Sequence, residues 1–94
     1  MLKLTLEEIE KALEPLKGWE VDGDEIRKKF THDSYAEAIL FVNGVAWAAD
    51  RVDHHPDITI RYSTVTLSLS THDEGGVTEK DLLMAQHIEA LRVR

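Results

Sequence analysis

The chain of 94 residues carries 11 basic against 18 acidic side chains, a formal net charge of −7, and it has no cysteine. Its length sets the expectation of one domain with an adequate but thin core, and an apolar fraction of 43% argues against disorder. The acidic balance disfavours nucleic acid and anionic membranes as direct partners, while the lack of cysteine removes disulfides and thiolate chemistry and fits a reducing cytoplasm.

The first residues, Met1 to Thr5, lack the apolar core of a secretory signal, and uninterrupted apolar runs no longer than that from Val45 to Ala49 are too short for a bilayer span. Thr5-Leu6-Glu7-Glu8 reads as a capping box that opens a helix, with Leu6, Ile9 and Leu13 at helical spacing and Pro15 at its end. Gly18 to Val21 and Glu25 to Phe30 read as short strands, and Asp22-Gly23 between them supplies a hairpin turn. A second box, Ser34-Tyr35-Ala36-Glu37, opens the longest helix. Tyr35, Ala38, Ile39, Val42, Val45, Ala46 and Ala49 form its apolar stripe. Phe41 and Trp47 fall off that stripe, which predicts a second apolar face turned toward a partner subunit.

From Asp57 to Thr71 the period falls to two. Ile58, Ile60 and Tyr62, then Val65, Leu67 and Leu69, alternate with polar residues, which predicts two antiparallel strands joined at Ser63-Thr64. Thr78 to Asp81 caps a final helix running to about Leu91. The expected architecture is α+β, in the order αββαββα, with a four-stranded antiparallel sheet and helices packed on one face. A turn at Ser63-Thr64 pairs Tyr62 with Val65, Ile60 with Leu67 and Ile58 with Leu69. Continued outward, that ladder sets His55 opposite His72 on the polar face.

Chemistry concentrates between Asp50 and Asp81, where His54, His55 and His72 each stand near a carboxylate. Imidazole gives and takes protons near neutral pH, and it also ligates metals, so both proton transfer and a zinc or iron(II) site built with Asp57 or Asp73 are open. No His-Glu-x-x-His or His-x-His spacing is present. His32 and His87 read as ordinary polar positions. A serine nucleophile at Ser70 lacks any Gly-x-Ser-x-Gly elbow. Asp81 stands three residues after Thr78, in capping position, and close enough to His72 for a second role.

The pattern Asp50-x-x-x-His54-His55-Pro56, with five residues to Tyr62, nine more to His72 and eight to Asp81, resembles the signature of the pterin-4a-carbinolamine dehydratases. Gly18-Trp19, Asp53 and Leu69-Ser70-Thr71-His72 extend the resemblance over nearly the whole chain. Asp50 stands where the family often has glutamate, and Ile58 where it often has an aromatic residue. The resemblance implies a lyase that dehydrates a 4a-hydroxytetrahydropterin to the quinonoid dihydropterin, with no metal and no cofactor. It implies His54, His55 and His72 as the catalytic set. Asp50, Asp53, Pro56, Ser70, Thr71, Asp73, Asp81 and Trp19 would bind substrate, although Trp19 reads equally well as a core residue. A homodimer or homotetramer is implied too. So is an alternative role as a protein-binding dimerisation cofactor, which animal relatives play for a homeodomain transcription factor.

Overall fold

The computed structural model describes residues 2–91. Its elements are α1 (Leu6–Leu13), β1 (Glu20–Asp22), β2 (Glu25–Thr31), α2 (Tyr35–Val52), β3 (Asp57–Arg61), β4 (Thr64–Leu69), a 3-10 turn (His72–Glu74) and α3 (Glu79–Ala90). The order αββαββα and the α+β class match the sequence expectation. Among the described residues no helix is long and apolar enough to cross a membrane.

The caps close between residues three apart, as their spacing implies. Thr5 accepts from the Glu8 amide while Glu8 accepts from the Thr5 amide, at 3.1 and 2.9 Å, so two orphan donors of the first turn are satisfied. At α2 the box is only half made. Ser34 accepts from the Glu37 amide, but Glu37 reaches one residue further back, to the amide of Asp33.

All strand pairings are antiparallel, in the spatial order β1-β2-β4-β3. Ile26, Phe30, Val65, Leu67 and Leu69 point to one face and are buried beneath Ala38, Val45 and Ala49 of α2 and Leu82, Met84, Ala85 and Ile88 of α3. The other face presents Arg27, Lys29, Thr59, Arg61, Thr64 and Thr66 to solvent.

Three sequence expectations need correction. The β3–β4 register is displaced by two residues: Ile60 pairs with Val65, Ile58 with Leu67 and Asp57 with Ser68. The two-residue loop is therefore Tyr62-Ser63, not Ser63-Thr64. A slip of one would have exchanged the two faces, but a slip of two leaves Ile58 and Ile60 on the same face as Val65 and Leu67, and alternation alone does not resist it. Tyr62 takes φ 53° in this loop, the left-handed conformation for which glycine or asparagine is the usual choice.

Phe41 does not await a partner. Its ring lies 4.9 Å from that of Phe30 and 4.9 Å from His32, between sheet and helix. Trp47 remains 72% exposed and Leu40 71%. Trp19 lies just before β1 and is a core residue. Its ring meets Phe30 edge-on at 6.1 Å and its indole N–H donates to Glu89 at 2.9 Å.

Candidate functional site

The end of α2 sets the first half of the site. Asp53 caps the helix in the left-handed conformation, φ 55°, and the His54 amide returns to the Ala49 carbonyl at 3.1 Å. An aspartate tolerates that backbone better than most residues. It turns the chain sharply, so that His54 and His55 leave the helix before Pro56 and β3.

His72 arrives differently from the predicted rung. The β3–β4 ladder ends at Asp57 and Ser68, so His55 and His72 both lie beyond the sheet. Thr71 bridges to Gly76, and the short 3-10 turn His72–Glu74 fills the loop between them. Gly75, at φ 75°, closes that turn. Even so, one open cleft of about 370 Å³ is lined by Asp53, His54, His55, Ser70, Thr71, His72, Asp73 and Lys80. A cleft of that size is ordinary for a small ligand.

Asp81 is the best-satisfied polar group of the site. It is fully buried, and its Oδ2 accepts from the Thr71 hydroxyl and the Thr78 amide, each at 2.8 Å. Its Oδ1 lies 2.6 Å from His54 Nε2. A carboxylate only accepts, so Nε2 carries the hydrogen in that bond, and in the neutral ring Nδ1 keeps its lone pair. Because the single Thr71 proton goes to Asp81, the Thr78 hydroxyl donates to Thr71 Oγ1 across 2.8 Å and itself accepts from the Lys80 amide. The chain of bonds runs from the first turn of α3 to one imidazole. Asp81 thus caps the helix and orients His54 at once.

His55 Nε2 lies 2.9 Å from Asp50 Oδ1, an exposed pair one turn back on α2. His72 makes no side-chain hydrogen bond among the described residues, which leaves both ring nitrogens available. Asp50 and Pro56 do not line the cleft. Trp19 is buried in the core and does not line this cleft.

Two contributions escaped the sequence reading. Lys80 also lines the cleft, one residue before Asp81 on α3; the capping pattern pointed at its neighbour instead. Asp24 and Glu25, at the β1–β2 turn, line a second opening with Ser70, His72 and Gly75, held by the Ser70 hydroxyl on the Asp24 carbonyl at 2.8 Å. Nothing in the sequence pattern links that turn to His72. On the far side of His54, a smaller apolar recess is lined by Val52, Leu83, Met84 and His87. Among the described residues no group of three or more His, Asp or Glu side chains is arranged to hold a metal ion.

Comparison with known proteins adds to this geometry. A family profile described as Pterin 4 alpha carbinolamine dehydratase matches residues 2–91. A relative from Mycobacteroides abscessus, provisionally named a pterin-4-alpha-carbinolamine dehydratase, is 48% identical over 95% of this chain and 95% of its own. One from Gloeobacter violaceus, with the same provisional name, is 54% identical over 90% of this chain and 97% of its own. The crystal structure of a transcriptional coactivator/pterin dehydratase from Brucella melitensis superposes with a TM-score of 0.90 at 38% identity, covering 97% of this chain and 99% of that one. A pterin dehydratase-like protein described as a RuBisCO assembly factor in the alpha-carboxysome shares the fold at a TM-score of 0.64 and 22% identity, over 78% of this chain and 84% of its own.

Proposed function

From a chain that belongs to the pterin 4 alpha carbinolamine dehydratase family, matched over residues 2–91, we propose a hydro-lyase that works with its own side chains. Residues 1–94 act as one dehydratase-like domain that removes water from a 4a-hydroxytetrahydropterin and yields the quinonoid dihydropterin. The bond from the 4a carbon to oxygen breaks as the departing hydroxyl takes a proton. The adjacent ring nitrogen loses its proton, and the electron pair left there closes the new carbon–nitrogen double bond. One acid and one base acting on one bound substrate meet these demands. His55 and His72 carry the two proton transfers, and Asp50 steadies His55. His54, held by Asp81, presents Nδ1 to the pterin, while Asp53, Ser70, Thr71 and Asp73 form the walls around it.

The observation that supports this reading is the meeting of His54, His55 and His72 on one cleft, with one imidazole oriented by a buried carboxylate. Stopped-flow absorbance on freshly generated carbinolamine tests it. Wild-type protein should accelerate water loss, and His72→Ala should remove about 10²–10⁴-fold of that acceleration. A wild-type rate equal to buffer would overturn the proposal.

The exposed apolar face of α2, with Leu40 at 71% and Trp47 at 72%, supports self-association into a homodimer or homotetramer in a reducing cytoplasm. An apolar patch of this kind is a common mark of a protein contact. Light scattering on wild type and Trp47→Asp checks it, and a wild-type monomer at working concentration refutes it. The same face favours a second reading, a protein-binding role that needs no catalysis. Pull-down with His72→Ala separates the two.

A further inference from the structure

On the outer face of the sheet, opposite the helices, the charge is divided: Glu20, Asp22, Glu25 and Asp57 surround Arg27, whereas Lys29 and Arg61 lie on the next rungs with only threonines beside them. An open basin of about 480 Å³ is lined by Arg27 and Lys29 of β2, Thr64 and Thr66 of β4, and Thr59 and Arg61 of β3. Three side chains are cations, three carry hydroxyls, and no acid stands among them. Lys29 and Arg61 have no ion-pair partner among the described residues, and Arg27 pairs with the half-exposed Asp22, at 2.7 Å. The sheet register orders the groups: Lys29, Thr66 and Thr59 share one rung, and Arg61 faces Thr64 on the next.

We propose that this face binds an acidic peptide segment in extended conformation, with carboxylates at i and i+4. The spacing carries the argument. Lys29 and Arg61 are separated by two strand spacings across the sheet and two residues along it, about 12 Å. Mutual repulsion keeps these like charges spread rather than converged. The step from Lys29 to Arg61 runs obliquely to the strands, and a straight extended chain places side chains of one face about 13 Å apart at every fourth residue, so glutamates at i and i+4 meet Lys29 and Arg61 while Arg27 keeps Asp22. A compact polyphosphate crowds its charges too closely to reach both. Nucleic acid spaces them acceptably, but it would approach a molecule of net charge −7 and would find no aromatic ring in this basin on which a base stacks. Guanidinium forks suit carboxylates, and the threonine hydroxyls take the remaining oxygens.

The test is fluorescence anisotropy at low ionic strength with a labelled nonapeptide of alternating glutamate and threonine. Saturable binding is expected, weakening as salt rises and at least about tenfold weaker for Lys29→Glu/Arg61→Glu. Lys29→Gln/Arg61→Gln should fall between. Neither pair lines the histidine cleft, so an unchanged dehydration rate, or an unchanged circular dichroism spectrum, certifies the fold of each variant. Equal binding of the glutamine-for-glutamate peptide, equal binding by the charge-reversed variant, or tighter binding of an oligothymidylate of the same charge would overturn the proposal.

Discussion

Asp81→Asn tests whether the buried carboxylate sets the tautomer of His54. Three donors converge on Asp81: the Thr78 amide and the Thr71 hydroxyl at Oδ2, and His54 Nε2 at Oδ1. Asparagine offers one oxygen and one NH₂. The Thr78 amide only donates, so the oxygen must stay on that side and the NH₂ must face His54. The imidazole then accepts at Nε2 and carries its hydrogen on Nδ1, so the nitrogen turned to the cleft changes from acceptor to donor. Three charge-assisted bonds become neutral ones, a loss of about 1 kcal/mol each, offset in part because an amide is less costly to bury than a carboxylate. The net destabilisation should be about 1–3 kcal/mol in urea unfolding, well short of the roughly 3–5 kcal/mol expected when Asp81→Ala strands the donors. One mismatched hydrogen bond to bound substrate should lower kcat/KM by about 10–100-fold. Nitrogen-15 chemical shifts of the His54 ring report the tautomer directly. A ring that keeps its hydrogen on Nε2, or an Asp81→Asn enzyme with full kcat/KM, would refute the reasoning.

Other positions give independent checks. Gly18 has φ 89°, and a Cβ there would lie 2.8 Å from Lys28 Cε; Gly18→Ala should cost about 1–2 kcal/mol in chemical unfolding. Gly44 sits inside α2, where a Cβ would meet Leu91 at an ordinary 3.6 Å, so Gly44→Ala should stabilise by about 0.5–1 kcal/mol in the same assay. Tyr62 holds a left-handed φ of 53° while 74% exposed. Tyr62→Asn should raise the thermal midpoint by a few degrees, a gain of about 0.5–1 kcal/mol.

Local signals carried the sequence reading furthest. Thr5 with Glu8, and Thr78 with Asp81, make the reciprocal caps their spacing implies, because a cap is closed by residues three apart and needs nothing distant. The positive-φ signal of Gly23 is equally local, although the two-residue loop is Gly23-Asp24 and not Asp22-Gly23, because Asp22 pairs with Glu25; the apolar alternation of β4 is local too. The β3–β4 register was not legible, since Tyr62 at the turn carries no glycine or asparagine signal and a displacement by two residues keeps the same side chains on each face. His55 and His72 nonetheless share a cleft. What brings them there is the left-handed cap at Asp53 and the Thr71–Gly76 bridge, not a shared rung. The position of Trp19 depends on Glu89, seventy residues away, and Phe41 on the aromatic ring of Phe30. Contacts of that range leave no mark on a periodic pattern. Lys80 went unread because its role depends on how the start of α3 sits against the end of α2.

The far end of α3 is moored as firmly as its start. Glu89 Oε2 receives both the Trp19 indole and the Lys28 ammonium, at 2.9 and 2.7 Å, and the same ammonium reaches the Lys17 carbonyl at 2.6 Å. The helix therefore rests like a beam on two polar piers, with the buried greasy side chains Leu82, Met84, Ala85 and Ile88 between them. Sliding along its axis would break both piers at once, whereas apolar packing alone would let it creep by small steps. Whatever molecule settles beside His54 leans against a wall that does not drift.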